Sequence, residues 1–380
     1  MIIKNGKIFG ENGQFREGLI VVEEGRIKEV IYENSYDKAC HEEEVIDAGG
    51  SYVIPGFVDI HFHGCMGYDF CDGTIEAFDA ITKYQAENGV TSISPATMTL
   101  SREELAQIFA SVGNYQNQEG STIRGITMEG PFVSKAKKGA QNGDYIHKPD
   151  VEFFNEMQKL CGNLIKQVAV APEEDEDFAF IKEISPQTVI SVAHTTADYD
   201  TAKKAFEAGA SHVTHLFNAM PPFVHRDPAV VGAAFDQKNV FVELICDGIH
   251  IHPAMVRAMF QLFGPERICM ISDSMMAAGM PNGDYSLGGQ AVRVVDKKAT
   301  LADGTIAGSA SNLYDCFKVA VLEMEIPLES AVMASTITPA RSLGLDKECG
   351  SICVGKTADF VIIDENLAIQ KVIKNGILIR

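Results

Sequence analysis

Eight short apolar runs, each followed by a polar turn and a stretch of helical spacing, constrain this chain more than any single residue does. They lie at 57–60, 90–94, 123–128, 167–170, 188–193, 212–216, 240–245 and 268–271. Continuous runs of this length read as strands buried on both faces, the form that strands take in a parallel sheet. Between two of them, 197–209 sets Tyr199, Ala202, Ala205 and Phe206 on one side and ends at Gly209. The segment from Pro253 repeats the plan, with Val256, Met259, Phe260 and Phe263 facing one way before Gly264. Proline in the first turn and glycine after the last are start and stop signals of helices. The alternation predicts an α/β fold, a (β/α)8 TIM-like barrel. An open doubly wound sheet is the alternative, but it would carry a glycine-rich dinucleotide loop after its first strand, and none is evident.

The chain ends follow a different rhythm. Residues 1–9, 17–23, 26–32 and 44–47 read as short strands, with Asn5-Gly6 and Glu24-Gly25 as turn signals. From Gly350 the pattern returns to β at 359–363, 370–374 and 377–380, punctuated by Asn375-Gly376. A small β-sandwich domain built from both ends is expected, 1–54 and 341–380, with the catalytic barrel inserted over 55–340.

A formal charge of −20 argues against a general nucleic-acid binder and leaves any anion to be recognised locally. Nine cysteines, without a Cys-X-X-Cys pair, indicate neither a disulfide framework nor a zinc knuckle and fit a reducing cytoplasm. Cys246 and Cys269 sit in apolar runs and are expected in the core. Neither a signal-peptide segment nor a run long and apolar enough to cross a membrane is evident. The absence of tryptophan removes a tryptophan-lined sugar platform and leaves polar or phosphate contacts to hold any sugar.

Catalytic groups of such barrels sit at the C-terminal ends of the strands. The first run leads into His61-Phe62-His63-Gly64, and histidines two apart on a strand point to the same side. Glu129 follows the third run, His194 the fifth, His215 the sixth and Asp273 the eighth. Any one of these alone is an ordinary polar loop residue; all six on one rim are a ligand set. Imidazole and carboxylate together suit Zn²⁺ or another borderline divalent ion. Such an ion polarises a carbonyl and lowers the pKa of water toward neutrality.

A second cluster is suited to binding. His215 continues through Asn218 to Met220, Arg226 follows Pro221-Pro222, and Asp247-Gly248-Ile249-His250 closes the seventh run. Arginine, histidine, an amide and free backbone N–H groups are donors for a phosphate monoester. Pairing of Arg226 with Asp227 or another surface carboxylate is the plainer reading of that residue. Lys135, Lys137 and Lys138 read as a solvated charge run.

On these motifs the chain resembles the amidohydrolase superfamily, and within it the N-acetylglucosamine-6-phosphate deacetylase family. The resemblance rests on Pro55 through Gly64, Glu129-Gly130-Pro131-Phe132, Ala193-His194-Thr195 and the run from His212 to Met220. Thr338-Pro339-Ala340 and the stretch from Gly350 to Asp359 extend it over the whole length. It implies that Glu129, His194 and His215 hold the principal metal, and that His61 and His63 provide a second site sharing Glu129. Zinc is the first expectation, with Fe, Mn or Co as alternatives, and one-ion and two-ion forms are both open. Asp273 matches the catalytic aspartate. Asn218, Ala219 and His250 match residues around the sugar phosphate, and Arg226 matches an arginine that reaches into the neighbouring site of a homodimer. Other amidohydrolases bridge two ions with a modified lysine on strand four; no lysine lies between Val168 and Pro172.

One position departs from the pattern. Where the family usually has histidine in a Gly-Ala-His context, this chain has Gly139-Ala140-Gln141. A glutamine donates a hydrogen bond to an oxyanion but neither carries charge nor shuttles a proton. His147 is the nearby substitute to consider. The expected reaction is hydrolysis of the acetamide of N-acetylglucosamine 6-phosphate to glucosamine 6-phosphate and acetate, in amino-sugar catabolism. Asp273 would take a proton from the attacking water and return it to the sugar nitrogen. The 6-phosphate of N-acetylgalactosamine, or another N-acyl or cyclic amide, is the alternative substrate.

Overall fold

A computed structural model describes residues 1–32, 44–116 and 119–380. The barrel strands are β1 (Phe57–Asp59), β2 (Val90–Ile93), β3 (Ile126–Met128), β4 (Ile165–Val170), β5 (Val189–Val192), β6 (His212–Val213), β7 (Phe241–Ile245) and β8 (Ile268–Ile271). β1 pairs in parallel with β2, and β3 through β8 pair in parallel in chain order. The fold is therefore α/β with a TIM-like barrel core, as the alternation requires. Its strands are almost wholly buried, Phe57, Val90, Ile126, Val168, Val192, Val213, Leu244 and Ile268 each at 1% exposure or less.

The third apolar run is broken rather than continuous. Thr122–Ile123 pairs with β2, and only from Ile126 does the chain turn to β4. At the break the Arg124 N–H returns to Ile93 O at 2.9 Å and its Nε to Ser92 Oγ at 2.8 Å. A single parallel bridge, Ala96 to Thr127, carries the curve onward. On the other side β8 meets β1 beyond their ends: Asp273 N donates to His61 O at 3.0 Å and His63 N to Ser274 O at 2.7 Å. The seam that closes the sheet is thus made of residues expected in the site.

Helices lie where the spacing puts them. Tyr199–Ala208 begins at Asp198, whose carboxylate accepts from Thr201 N, and stops at Gly209. Pro253–Phe263 starts with proline and buries Val256, Met259, Phe260 and Phe263. Burying each such side chain contributes about 1.5–3 kcal/mol. Ser101 and Glu104 form a reciprocal cap at the start of Arg102–Asn114.

The two chain ends share one mixed sheet. Its order is Ile377–Leu378, Ile369–Lys374, Phe360–Ile363, Tyr52–Pro55, Ile2–Phe9, Phe15–Glu23 and Arg26–Ile31, with Val45–Asp47 also against Ile2–Phe9. It forms a small sandwich around its own core of Ile3, Ile8, Ile20, Val53, Phe360 and Ile373. Tyr52–Pro55 passes into β1 through Gly56, where a Cβ would lie 2.1 Å from Thr91 Oγ1; only glycine fits. Asn5-Gly6, read as a turn, is instead a bulge inside Ile2–Phe9, with Asn5 at φ +56° and a register shift between Ile3 and Gly6. The chain runs on through the bulge instead of reversing, and a Cβ at Gly6 would lie 2.5 Å from Val53 Cγ2.

A further antiparallel sheet follows β8, unannounced by the sequence reading. It comprises Gly283–Leu287, Gln290–Val295, Lys298–Thr300 and Ile306–Ser309. Leu287, Val292, Val294, Ala299 and Ala307 pack against Met98 and Met275. The Gln290 amide donates to Ala140 O, tying this sheet to the loop that carries Gln141.

A candidate metal centre and active site

The expected ligands all arise just past strand ends on one rim, five of them within two residues of the end and His63 four residues beyond β1. β1 runs on through Ile60 to His61 and His63; Glu129 directly follows β3; His194, His215 and Asp273 follow β5, β6 and β8. His194, His215 and Asp273 sit at φ +43°, +30° and +47°. This left-handed backbone is costly for such residues and is held only where the surroundings over-determine it. It explains why β6 ends at Val213 and not at Leu216: the chain turns to present His215. All six side chains are buried.

They form two groups of donors. In the first, Glu129 Oε1 lies 3.0 Å from His194 Nε2 and 3.1 Å from His215 Nε2, and those nitrogens are 3.1 Å apart. In the second, His63 Nε2 is 3.4 Å from Asp273 Oδ1, with His61 Nε2 at 3.8 Å from the same atom. Glu129 stands between the groups, its Oε2 3.3 Å from His63 Nε2 and its Oε1 3.6 Å from His61 Nε2. Ligands about 2.0–2.1 Å from a tetrahedral ion are roughly 3.3 Å from one another, so these spacings fit a metal. His61 Nε2 is buried without a hydrogen-bond partner among the described residues, as an atom reserved for an ion would be. His194 Nδ1 lies 2.9 Å from Lys137 O; donation there leaves Nε2 bare toward Glu129.

The electrostatics agree. Burial opposes the charge on Glu129, but His61, His194 and His215 outweigh it and hold the carboxyl well below the usual range. Burial likewise pulls His63 down, yet Asp273 and Glu129 carry it up to about 10. Asp273 is lowered, burial being overcome by His63 and His61. Two carboxylates are thus held in their charged form beside imidazoles drawn toward positive charge. Beneath it, burial lifts Asp59 to about 7 despite hydrogen bonds from Ser272 and the His61 N–H. Its Oδ2 accepts from Ser272 Oγ at 2.5 Å, pinning β1 to β8.

Three polar residues inside the barrel were missed by the sequence reading. Glu243 on β7 is fully buried and accepts from Gln167 Nε2 on β4 at 2.8 Å and from the His215 N–H at 3.0 Å. His61 Nδ1 is 3.1 Å from it and His212 Nε2 3.2 Å. The available signal was a polar residue in each of two apolar runs, Glu243 inside 240–245 and Gln167 at the head of 167–170. Burial holds no carboxylate by itself: it raises Glu243, and His61 and His212 more than reverse that.

A cavity of about 410 Å³ opens above the ligands, lined among others by Gln141, Asn218, Ala219, His250 and Lys137. Gln141 donates from Nε2 to Glu129 Oε2 at 2.8 Å and accepts the Thr99 N–H at 2.7 Å. His250 Nδ1 is 2.8 Å from Asp247 Oδ2. Thr305, Ile306 and Gly308 of the added sheet complete one wall. Lys137 is no free surface charge: it is half-buried at this wall and donates to Met220 O at 3.3 Å. Arg226 is not brought into this cavity. It is exposed on a turn closed by Val224 and Asp227, with Nε 3.2 Å from His225 Nε2 and no carboxylate partner among the described residues. His147 packs edge-on against Phe132 and Phe153, outside the site.

A parallel barrel with candidate histidine and carboxylate ligands converging at its strand ends, beneath an open cavity, has the arrangement of a metal-binding hydrolase. Residues 52–379 match the amidohydrolase family. The chain is 35% identical over 382 residues to the N-acetylglucosamine-6-phosphate deacetylase of Bacillus subtilis (strain 168), covering 99% of this chain and 96% of that one. It superposes with a TM-score of 0.92 and 31% identity on the Mycobacterium smegmatis enzyme solved with N-acetyl-D-glucosamine-6-phosphate, covering 100% and 98% of the two chains. The Thermotoga maritima enzyme gives a TM-score of 0.89 at 29% identity, covering 100% and 99%. The chain belongs to the amidohydrolase family and, within it, to the N-acetylglucosamine-6-phosphate deacetylases.

Proposed function

We propose that this protein removes the acetyl group of N-acetylglucosamine 6-phosphate, giving glucosamine 6-phosphate and acetate, and so acts in amino-sugar metabolism. The observation that carries the reading is the convergence of Glu129, His194 and His215 with Asp273 and Gln141 at the floor of one cavity. Glu129, His194 and His215 would hold one divalent ion, and His61, His63 and Asp273, with Glu129 between, a second. The donor set suits zinc, with iron, manganese or cobalt as substitutes. When bound, the metal supplies Lewis-acid polarisation of the acetyl carbonyl and lowers the pKa of water.

The chain's own groups do the rest. Asp273 accepts a proton from the water that attacks the carbonyl carbon, then delivers it to the sugar nitrogen as the carbon–nitrogen bond breaks. An amide nitrogen leaves readily only once protonated. Gln141 has its oxygen occupied by the Thr99 N–H, so its amide presents Nε2 to the site as a donor for the oxyanion. Asn218, the Ala219 backbone and His250 bind the sugar phosphate.

The proposed assembly is a cytoplasmic homodimer, with Arg226 contributed to the neighbouring site. Its exposure, its lack of a carboxylate partner among the described residues and its neighbours Phe223 and Val224, 39% and 45% exposed, support that reading. The test is acetate release from N-acetylglucosamine 6-phosphate on metal-reconstituted protein, beside the galacto epimer and unphosphorylated N-acetylglucosamine. Release from the first alone is expected; no release with metal bound would require a different acyl substrate.

A further inference from the structure

We propose that Glu243 is a positioning residue for the metal centre. Its buried carboxylate fixes the His61 imidazole with Nδ1–H toward β7 and Nε2 bare, and holds the turn that presents His215. This rests on the metal reading above.

Glu243 has no exposed surface and does not line the cavity, so it has no route to substrate. A carboxylate in a barrel interior is costly unless its oxygens are satisfied. Here one oxygen faces His61 Nδ1 at 3.1 Å and the His215 N–H at 3.0 Å; the other accepts from Gln167 Nε2 at 2.8 Å. Both donors on the first oxygen belong to candidate ligands, one from each group. Glu243 therefore spans the two halves of the centre from below.

The chemistry fixes the tautomer. A bare Nδ1 would set its lone pair against a carboxylate oxygen at 3.1 Å, so the ring proton sits on Nδ1. Nε2 then carries the free lone pair, and it is the atom found buried without a hydrogen-bond partner among the described residues, facing Glu129 and Asp273. The contact to His215 works on the backbone. His215 holds φ +30°, and an N–H anchored on β7 is one reason that conformation persists. Outer carboxylates on metal-binding histidines set ring orientation and typically matter 10–100-fold in affinity.

Glu243→Gln keeps an acceptor and loses the charge; Glu243→Leu loses both. Zn²⁺ alone is titrated into metal-free protein against a chromogenic chelator, and bound zinc is counted by mass spectrometry. The expected result is a graded loss of second-ion affinity, about 10-fold in Glu243→Gln and about 100-fold in Glu243→Leu. Stoichiometry falls from two toward one, and kcat falls while KM stays near wild type. Wild-type zinc-loaded protein gives a readout independent of variant folding: long-range ¹H–¹⁵N spectra should find His61 protonated at Nδ1. Two ions bound at wild-type affinity in both variants, or His61 protonated at Nε2, would overturn the proposal. Wild-type protein that takes one ion only would overturn the two-ion reading beneath it, and the role of Glu243 with it.

Discussion

Gln141 bridges two groups that do not otherwise meet: it accepts the Thr99 N–H at 2.7 Å and donates to Glu129 Oε2 at 2.8 Å. The amide is thereby locked in one orientation. Gln141→Leu should lower kcat by about 10²-fold, the usual cost of an oxyanion donor. It also leaves a buried N–H unpaired, costing about 1–3 kcal/mol of stability. Gln141→His keeps a donor and should retain activity within about 10-fold. Wild-type kcat in the leucine variant would remove Gln141 from the chemistry.

Asp273 is anchored through its backbone, N to His61 O at 3.0 Å and O from Ser309 N at 2.7 Å, so its side chain can be changed without loosening the barrel seam. Asp273→Asn should keep the ion at Glu129, His194 and His215 while turnover falls by about 10²–10⁴-fold, the range of general acid–base catalysis. Turnover and bound metal measured on the same sample decide it. Full activity with full occupancy would refute the role.

Phosphate recognition separates by substrate. His250→Ala and Arg226→Ala should each lower kcat/KM for the phosphorylated sugar by about 10–100-fold, the weight of a hydrogen bond to a charged group. Unphosphorylated N-acetylglucosamine should be little affected. Mixed dimers of Asp273→Asn with Arg226→Ala chains should regain activity, since one of their two sites would then have both residues. No recovery would place Arg226 in its own subunit's chemistry or in none.

The same site has a pH signature. Burial disfavours a charged His250, but the hydrogen bond and charge of Asp247 outweigh it and raise the imidazole above its ordinary value. The cation is present below that raised value and lost above it. The sugar phosphate is a dianion above about pH 6. KM for the phosphorylated substrate should therefore rise as pH climbs past His250, and the rise should vanish in His250→Ala.

Metal removal should abolish turnover and lower the melting temperature together, because an ion bound only by the folded chain stabilises it by RT ln(1 + [L]/Kd). At 100 times Kd this is about 2.7 kcal/mol. Dialysis against a chelator, then Zn²⁺ add-back, should reverse both in a differential scanning experiment. Unchanged melting after complete stripping would mean that the six-residue cluster holds no structural ion.

The sequence alone determined the barrel and the rim on which its candidate ligands emerge. Apolar runs of strand length separated by helical stretches have few ways to bury themselves, and polar residues just past such runs must emerge on one rim. That is why His61, His63, Glu129, His194, His215 and Asp273 were legible as a set, though none of them was alone. Only the tertiary structure decided what Glu243 and Gln167 do. Each sits within an apolar run, and spacing along one strand carries no information about which side chain on another strand, 76 residues away in this case, it will meet. The same limit hid the sheet from Gly283 to Ser309, whose strands are half-exposed and whose apolar face is defined only by Met98 and Met275 beneath it. It also left Asn5-Gly6 ambiguous: the pair permits a turn or a bulge, and pairing of the same strand with Phe15–Glu23 and with Tyr52–Val53, partners elsewhere in the chain, goes with the bulge. Local pattern fixes periodicity and exit points; which distant groups then satisfy a buried charge is settled by packing.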